Sequence, residues 1–303
     1  MLVANDYKLN RLKMVIDRAR RIPSAPLLVT CADARSWPGV TTAGDNKTAC
    51  FDRVLCDVPC SGDGTVRKAL GILSQWTPLS GVSYHSDQLA ILRRGLELLN
   101  PGGLLAYSTC AVNPVECEAV VAAALWEFRG LVELEQVCVP CLRLAEGLTT
   151  WRVPSPSAAR NVERPETLGS WDELTDKDKS ARVRLKRSMF PPAAYATAPQ
   201  ALAITEQLHR CARLLPAHDD GGCFFLALFR RRPGARLRKG DRVLVRSCDR
   251  EAIVREPRAS GAFAGLVRVA YPDGSHYHAE LEDLQPLATE QSMETDTAKS
   301  PLL

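Results

Sequence analysis

Short apolar runs alternate with helical stretches over the first 140 residues of the chain. Four of the runs are apolar enough for strands buried on both faces, at residues 2–5, 27–30, 53–58 and 104–110. Between the first two runs and between the last two, the spacing of apolar residues is helical, as in YKLNRLKMVIDRARR and SYHSDQLAILRRGLELLN. Strand, helix and strand in repetition predict an α/β fold on a parallel sheet with right-handed crossovers.

Leucines at 89, 92, 96 and 99 predict one apolar face on the second helix, and the cluster Pro101-Gly102-Gly103 is expected to end it. Beyond this helix the pattern predicts a helix at 113–128, a strand at 131–137, a long polar excursion at 154–187, a helix at 201–215 and a strand at 221–229.

The pattern changes after Arg230. Short β-type runs separated by Gly, Pro and Asp-Gly turns follow at 239–247, 250–256, 265–281 and 282–287. They predict a small all-β barrel of the SH3/Tudor-like kind. We therefore expect a main domain over 1–232, a barrel over 233–287 and a disordered tail over 288–303.

Composition indicates an intracellular globular protein. Of the 303 residues, 46% are hydrophobic and 24% charged, and no window approaches the roughly 18 apolar residues of a membrane span. Eleven cysteines without a secretory leader favour reduced thiols. We expect the protein in the nucleus or nucleolus, or else in the cytoplasm, as a monomer without membrane contact.

Positive charge is concentrated near the start of the predicted barrel. Residues 230–258 hold eleven Lys/Arg against four Asp/Glu, an excess of seven, so the rest of the chain nets −3 within a total of +4. Such a segment suits a polyanion, and nucleic acid is the commonest one. A solvated surface beside an acidic tail is the alternative.

Two strand ends carry thiols. DVPCSGDGTVRK places Asp57 and Cys60 just after one strand, and LLAYSTC ends the next in Cys110. Neighbouring parallel strands lie about 4.8 Å apart and open α/β sheets bind ligands at this edge, so both thiols can reach one small planar substrate. The SGDG turn suits a loop wrapped round a ligand, and Arg67 and Lys68 follow at once, placed for phosphate.

Each of these residues has a simpler interpretation. A free cysteine is usually a small buried hydrophobe, which we expect for most of the eleven, including Cys31, Cys56 and Cys211. The pair in CVPC, Cys138 and Cys141, is a lone C-x-x-C without nearby histidines, so we predict no metal there. Asp57 has the alternative of capping the following turn, and Trp76, His209 and Arg213 are candidates for substrate contact or for packing.

Three ordered segments resemble the Sun-domain family of RNA (cytosine-5) methyltransferases, especially its tRNA-methylating branch. They are DVPCSGDGTVRK, PGGLLAYSTCAVNPVECEAVV and SMFPP followed by LHRCARLLPAHDDGGCFFLALF. The resemblance covers about residues 1–230. One departure is Cys117, where the family carries Asp or Asn, whereas Glu116 and Glu118 are kept.

The resemblance implies a Rossmann-like class I methyltransferase sheet and a covalent mechanism. Cys110 would add to carbon 6 of cytosine, which makes carbon 5 nucleophilic, and Cys60 would help to release the enzyme afterwards. Asp57 would contact ring nitrogen 3 and the exocyclic amine, and would have to carry a proton to donate at nitrogen 3.

The implied cofactor is S-adenosyl-L-methionine and the implied partner is RNA, above all tRNA. Asp6 and Asp33, at consecutive strand ends, would contact the ribose hydroxyls and the adenine amine, with Asp57 as a further contact. Taken alone, Asp6 and Asp33 are equally typical of helix caps.

The family's first strand and its glycine-rich cofactor loop have no counterpart in this sequence, so we expect a truncated chain whose sheet has two unpaired central edges. A catalytically inactive RNA-binding relative is therefore the alternative function. A DNA cytosine methyltransferase is disfavoured, because such enzymes attack with the cysteine of the Pro-Cys pair and have no second thiol after Ser-Thr.

Overall fold

The computed structural model describes residues 1–21, 26–40, 50–156, 166–179, 185–232, 242–245, 250–256, 267–279 and 284–286. The chain divides into two compact units, one of residues 1–125 and 133–231, the other of residues 126–132 and those from 232 onward. The predicted disordered tail lies outside the described residues. No helix in the described part of the chain is both long and apolar enough to cross a membrane.

The first unit contains most of the regular structure. Its helices, the third of which runs into residues of the second unit, are α1 Leu9–Ala19, α2 Ser80–Glu97, α3 Glu118–Glu127, α4 Asp176–Lys179, α5 Ala198–Leu208 and α6 Pro216–Asp219. Its strands are β1 Leu2–Asn5, β2 Leu27–Thr30, β3 Phe51–Asp57, β4 Leu99–Thr109, β5 Val132–Glu135, β6 Ala145–Glu146, β7 Val153–Pro154, β8 Thr167–Leu168, β9 Ala212–Leu214 and β10 Phe224–Arg231.

A mixed six-stranded sheet forms the centre of this unit. Its order is β3-β4-β10-β9-β6, with β5 also paired to β10. Strands β3 and β4 are parallel, as predicted, and β10 runs antiparallel to β4. Burial of aromatic and aliphatic side chains stabilises the sheet. Fully buried ones include Leu105, Tyr107, Phe225 and Phe229.

Strands β1 and β2 pair in parallel as a separate two-stranded sheet. Within the described residues, β1 pairs only with β2 and β3 only with β4, in line with the expected break in the sheet. The prediction of burial on both faces is wrong for β1, β2 and β3, since Leu2, Leu28 and Leu55 are 61%, 38% and 69% exposed. A strand needs neighbours over both faces to be buried there, and its own apolar pattern does not provide them.

Two predicted helices end earlier than expected. Helix α2 stops at Glu97, and Leu99 already belongs to β4. Phe51 lies opposite Leu99 and Arg53 opposite Leu104, so the Pro-Gly-Gly cluster forms a bulge within the strand pair rather than a helix stop. The helix predicted over 201–215 ends at Leu208, because the next residues form β9 and pair with β10 and β6.

The second unit contains an antiparallel sheet of five strands in the order β14-β13-β12-β11-β15. The strands are β11 Arg242–Val245, β12 Arg250–Glu256, β13 Val267–Ala270, β14 His276–Ala279 and β15 Leu284–Pro286. Their positions confirm the β-type runs predicted from the sequence, whereas closure into a barrel stays a prediction.

Candidate active site

Two loops meet where the parallel strands β3 and β4 end. The loop after β3 carries Cys60, the loop after β4 begins at Cys110, and their sulfur atoms lie 3.2 Å apart. Backbone bonds hold the loops together: the Val58 amide donates to the Ser108 carbonyl at 3.2 Å, and the Gly64 amide donates to the Cys110 carbonyl at 2.9 Å. The strand-end rule therefore placed both thiols correctly.

Glycine at 64 makes this approach possible. A β-carbon there would lie 2.5 Å from the Cys110 carbonyl oxygen and 2.8 Å from the Cys223 β-carbon, closer than real contacts allow. The Gly64 carbonyl also accepts from the Cys223 amide at 3.1 Å, at the start of β10. The Cys60 loop therefore packs between the end of β4 and the start of β10, and Gly62 provides its left-handed turn at φ 73°.

The two thiols differ in acidity. The hydrogen bond from Cys60 lowers the pKa of Cys110 from 9.0 to about 7, against burial and the nearby charges of Asp57 and Asp63, which raise it. The same bond, together with burial, raises the pKa of Cys60. Cys110 is therefore the thiol that ionises near neutral pH, with Cys60 as the donor to its thiolate.

Asp57 ends β3 beside this pair. It lies opposite Ser108 in the parallel register, and its Oδ1 accepts from the Ser108 hydroxyl at 2.9 Å. This bond runs to the neighbouring strand rather than to the following turn. Cys110 comes two residues after Ser108, so the exposed Asp57 and both thiols share one edge of the sheet.

Asp63 is a site residue that the sequence did not single out. Its Oδ1 accepts from the Val112 amide at 2.7 Å, and Trp76 donates a side-chain hydrogen bond to it. Burial raises the pKa of Asp63. Asp63 thus joins the Cys60 loop to the Cys110 loop, and Trp76, a candidate for substrate contact, helps to hold it.

The two glutamates of NPVECE have separate tasks. Both are fully buried. Glu116 accepts from the Ser61 amide at 2.8 Å, from the Ser61 hydroxyl at 2.6 Å and from Gln88 Nε2 at 3.1 Å. Glu118 instead pairs with Arg213, at 2.5 Å and 2.7 Å, so Arg213 is a buried structural partner.

Between these glutamates lies the residue that departs from the family pattern. Cys117 is fully buried, and its sulfur lies 3.6 Å from the Thr109 hydroxyl and 3.5 Å from the Ala111 carbonyl. Burial raises the pKa of Cys117 well above its usual value. Cys117 therefore packs beneath the Cys110 loop as a neutral group.

The predicted phosphate contacts follow the Cys60 loop. Arg67 Nη1 donates to the carbonyls of Asp220 at 2.8 Å and Gly221 at 3.0 Å, and pairs with the Asp220 carboxylate at 2.8 Å. Arg67 therefore ties this loop to the turn before β10, while both its side chain and Lys68 stay exposed.

The acids at the ends of β1 and β2 make local bonds. Asp6 accepts from the Lys8 amide at 2.8 Å and pairs with Arg11 at 3.1 Å. Asp33 accepts from the Arg35 amide at 2.9 Å and from its guanidinium, which lowers the pKa of Asp33. Asp33 therefore makes the capping bond of the alternative interpretation, whereas Asp6 forms an Asx turn before α1, whose N-cap is Lys8.

The other cysteines show which thiols are structural. Cys56 and Cys211 are buried, which confirms the prediction for them, whereas Cys31 is exposed and the prediction is wrong there. Cys31 follows β2 directly, and its thiol lies 3.6 Å from the backbone oxygen of Tyr7. Cys138 and Cys141 are exposed, and the described residues contain no cluster of three or more His, Cys, Asp or Glu able to hold a metal ion.

Comparison with known proteins shows which family this chain resembles. Residues 1–149 match the model of the family described as 16S rRNA methyltransferase RsmB/F. Over these residues, about half of its length, the chain is similar to that family. The resemblance noted from the sequence is thereby confirmed.

Individual relatives extend the match. It is 36% identical over 262 residues to "Multisite-specific tRNA:(cytosine-C(5))-methyltransferase trm4b" of Schizosaccharomyces pombe, covering 82% of the chain and 35% of the relative. It is 36% identical to "tRNA (cytosine(34)-C(5))-methyltransferase" of Drosophila melanogaster, covering 79% of the chain and 31% of the relative. "Ribosomal RNA small subunit methyltransferase F" of Erwinia tasmaniensis is 34% identical over 44% of the chain and 27% of the relative. The chain thus spans about a third of the length of these relatives.

Proposed function

We propose that this chain carries the catalytic thiols of an RNA cytosine-5 methyltransferase that uses S-adenosylmethionine and acts on tRNA. The contact of 3.2 Å between the Cys60 and Cys110 sulfurs, beside Asp57, carries the proposal. A substrate in tRNA is favoured because relatives named for tRNA cover 79–82% of the chain, against 44% for the ribosomal RNA relative.

The first step is addition to the base. The Cys110 thiolate forms a bond to carbon 6 of cytosine, and the displaced π electrons pass into the ring. Asp57, at the same edge of the sheet, would donate a proton at ring nitrogen 3 and accept from the exocyclic amine. When bound, S-adenosylmethionine supplies the methyl group that carbon 5 then receives.

The second step is release. Once Cys110 is a thioether, it no longer carries the negative charge that holds the proton on Cys60, so the largest of the causes that raise the pKa of Cys60 is removed. Cys60 can then lose its proton to solvent water and, as a thiolate, take the proton from carbon 5. The electron pair of that C–H bond restores the ring double bond and expels the Cys110 thiolate. One thiol thus serves first as hydrogen-bond donor and then as base.

The described residues fit part of the cofactor. Carboxylates at the ends of β1 and β2 suit the hydroxyl and amine donors of an adenosine group, and we assign Asp6 to the ribose, Asp33 to the adenine and Asp57 to a contact near both ligands. Each carboxylate offers about four lone-pair sites, so the two local bonds of Asp6 leave acceptor capacity. Asp33 accepts four bonds from Arg35 and would exchange one of them for the adenine amine.

RNA contacts complete the proposal. We assign Lys68 and Arg67 to the phosphates flanking the target base. The five-stranded sheet of the second unit is proposed to close into an SH3-like barrel, and the basic residues 230–258 to contribute non-specific attraction for RNA.

The inactive RNA-binding relative is the second candidate, because β1 and β3 lie in separate sheets in the described residues. Covalent trapping on a tRNA transcript separates the two functions. We expect Cys60→Ala to accumulate a protein–RNA adduct on a denaturing gel and Cys110→Ala to form none. RNA binding without an adduct in either the parent or the Cys60→Ala protein would contradict the enzymatic proposal.

A further inference from the structure

Glu116 lies at 0% exposure between two loops and helix α2. Burying a carboxylate is costly unless it is well bonded, and its desolvation raises the pKa of Glu116. The proposed mechanism gives this group no role, since its bonds lead to Ser61 and Gln88 and not to either sulfur. The hydrogen-bond partners of Glu116 indicate its role.

The bonds of Glu116 converge on the residues that flank Cys60. Ser61, directly after Cys60, donates both its amide and its hydroxyl to the two carboxylate oxygens. Gln88 donates one amide group both to Glu116 and, at 2.9 Å, to the carbonyl of Pro59, directly before Cys60. The backbone is thus held on both sides of the residue that contacts Cys110.

Helix α2 packs closely against the same Glu116 carboxylate. A β-carbon at Gly81, in the first turn of α2, would lie 2.7 Å from Glu116 Oε2. Gly81 therefore allows the helix to approach closely enough for Gln88, two turns further on, to reach the loop. The carboxylate, the helix and the loop form one fixed assembly.

We propose that Glu116 is a positioning residue that holds the Cys60 thiol against the Cys110 thiol by fixing the Pro59–Ser61 loop. The inference rests on the proposed function, in which these thiols act on one base. Glu116 acts through the loop and not through its own charge. A neutral side chain of the same shape should therefore replace it.

The direction in which the pKa of Cys110 changes when Glu116 is removed distinguishes positioning by Glu116 from an effect of its charge. Cys60 and Asp63 face the Cys110 thiol from the loop and Asp57 faces it from β3, while Ser61, Gln88 and Asp63 act on Glu116. If Glu116 mattered through its negative charge, removing it would make Cys110 more acidic. If it positions Cys60, removing it frees the donor and makes Cys110 less acidic.

The test is the pH dependence of alkylation of Cys110 by iodoacetamide, followed by mass spectrometry of the peptide that contains it. We expect a midpoint near 7 for the parent protein, an increase of about one to two pH units for Glu116→Ala, and no increase for Glu116→Gln. Asp178→Asn is the control, because it removes the charge of another buried carboxylate, one that accepts from Ser155 and Thr175, and its midpoint should equal that of the parent.

A folded Glu116→Ala protein with an unchanged or lower midpoint would overturn the inference. If this variant does not fold, Gln88→Met provides the same test, since it removes the amide that bonds to Pro59 and Glu116 while keeping side-chain volume. A raised midpoint supports the inference and an unchanged one overturns it. The readout needs no RNA, so it stands apart from the adduct assay that tests the proposed function.

Discussion

Cys60→Ala should make Cys110 a weaker acid. The variant removes the hydrogen bond that the Cys110 thiolate receives at 3.2 Å, and this bond is the largest cause of a pKa near 7 rather than 9.0. At about pH 7 the thiolate fraction would fall from about one half to about 1%, which is about fifty-fold. A more basic thiolate is also more nucleophilic, with a Brønsted slope of about 0.4–0.5. This raises the rate constant of the thiolate about six- to ten-fold and offsets part of the loss.

The expected net result is alkylation of Cys110 that is about five- to eight-fold slower near pH 7, and faster than in the parent at high pH. The full pH profile for the Cys110 peptide measures both the midpoint and the plateau. Cys60→Ser keeps a hydrogen-bond donor on a slightly shorter side chain. Its midpoint should lie between those of the parent and Cys60→Ala. If the profiles of the parent and Cys60→Ala coincide, the sulfur–sulfur bond does not activate Cys110 and the reasoning fails.

Two further predictions concern other parts of the chain. Glu118→Gln should lower the free energy of unfolding by about 3–5 kcal/mol, because it leaves the buried Arg213 without its charge partner; denaturant titration measures this, and a decrease below about 1 kcal/mol would contradict it. Removal of residues 233–303 should weaken tRNA binding and reduce its salt slope by about 0.7–0.9 for each phosphate that the segment neutralises. An unchanged slope would show that the second unit does not bind RNA.

The sequence predicted the meeting of the two thiols because it depends on a general rule. Parallel strands that follow one another deliver their carboxyl ends to one edge, so Cys60, Cys110 and Asp57 could be placed together without coordinates. The positions of most strands followed from the apolar runs in the same way.

The role of Glu116 could not be predicted, because Glu116 and Glu118 look alike in the sequence. Helix α3 begins only at Glu118, after a turn, so the two side chains point to different partners. The predictions for the burial of β3 and for the length of α5 were wrong for a related reason. Leu55 and the residues of β9 take their environment from strands elsewhere in the chain, which local periodicity does not record.

Asp57 and Glu116 show how one edge of a sheet gives two carboxyl groups different tasks. Asp57 is exposed, so it can meet a base. Glu116 is buried, and burial raises its pKa, so the stability it contributes declines as pH rises through that pKa. Burying a carboxyl group costs stability unless hydrogen bonds compensate for the lost water. Holding the residues on either side of Cys60 is the role that its bonds describe.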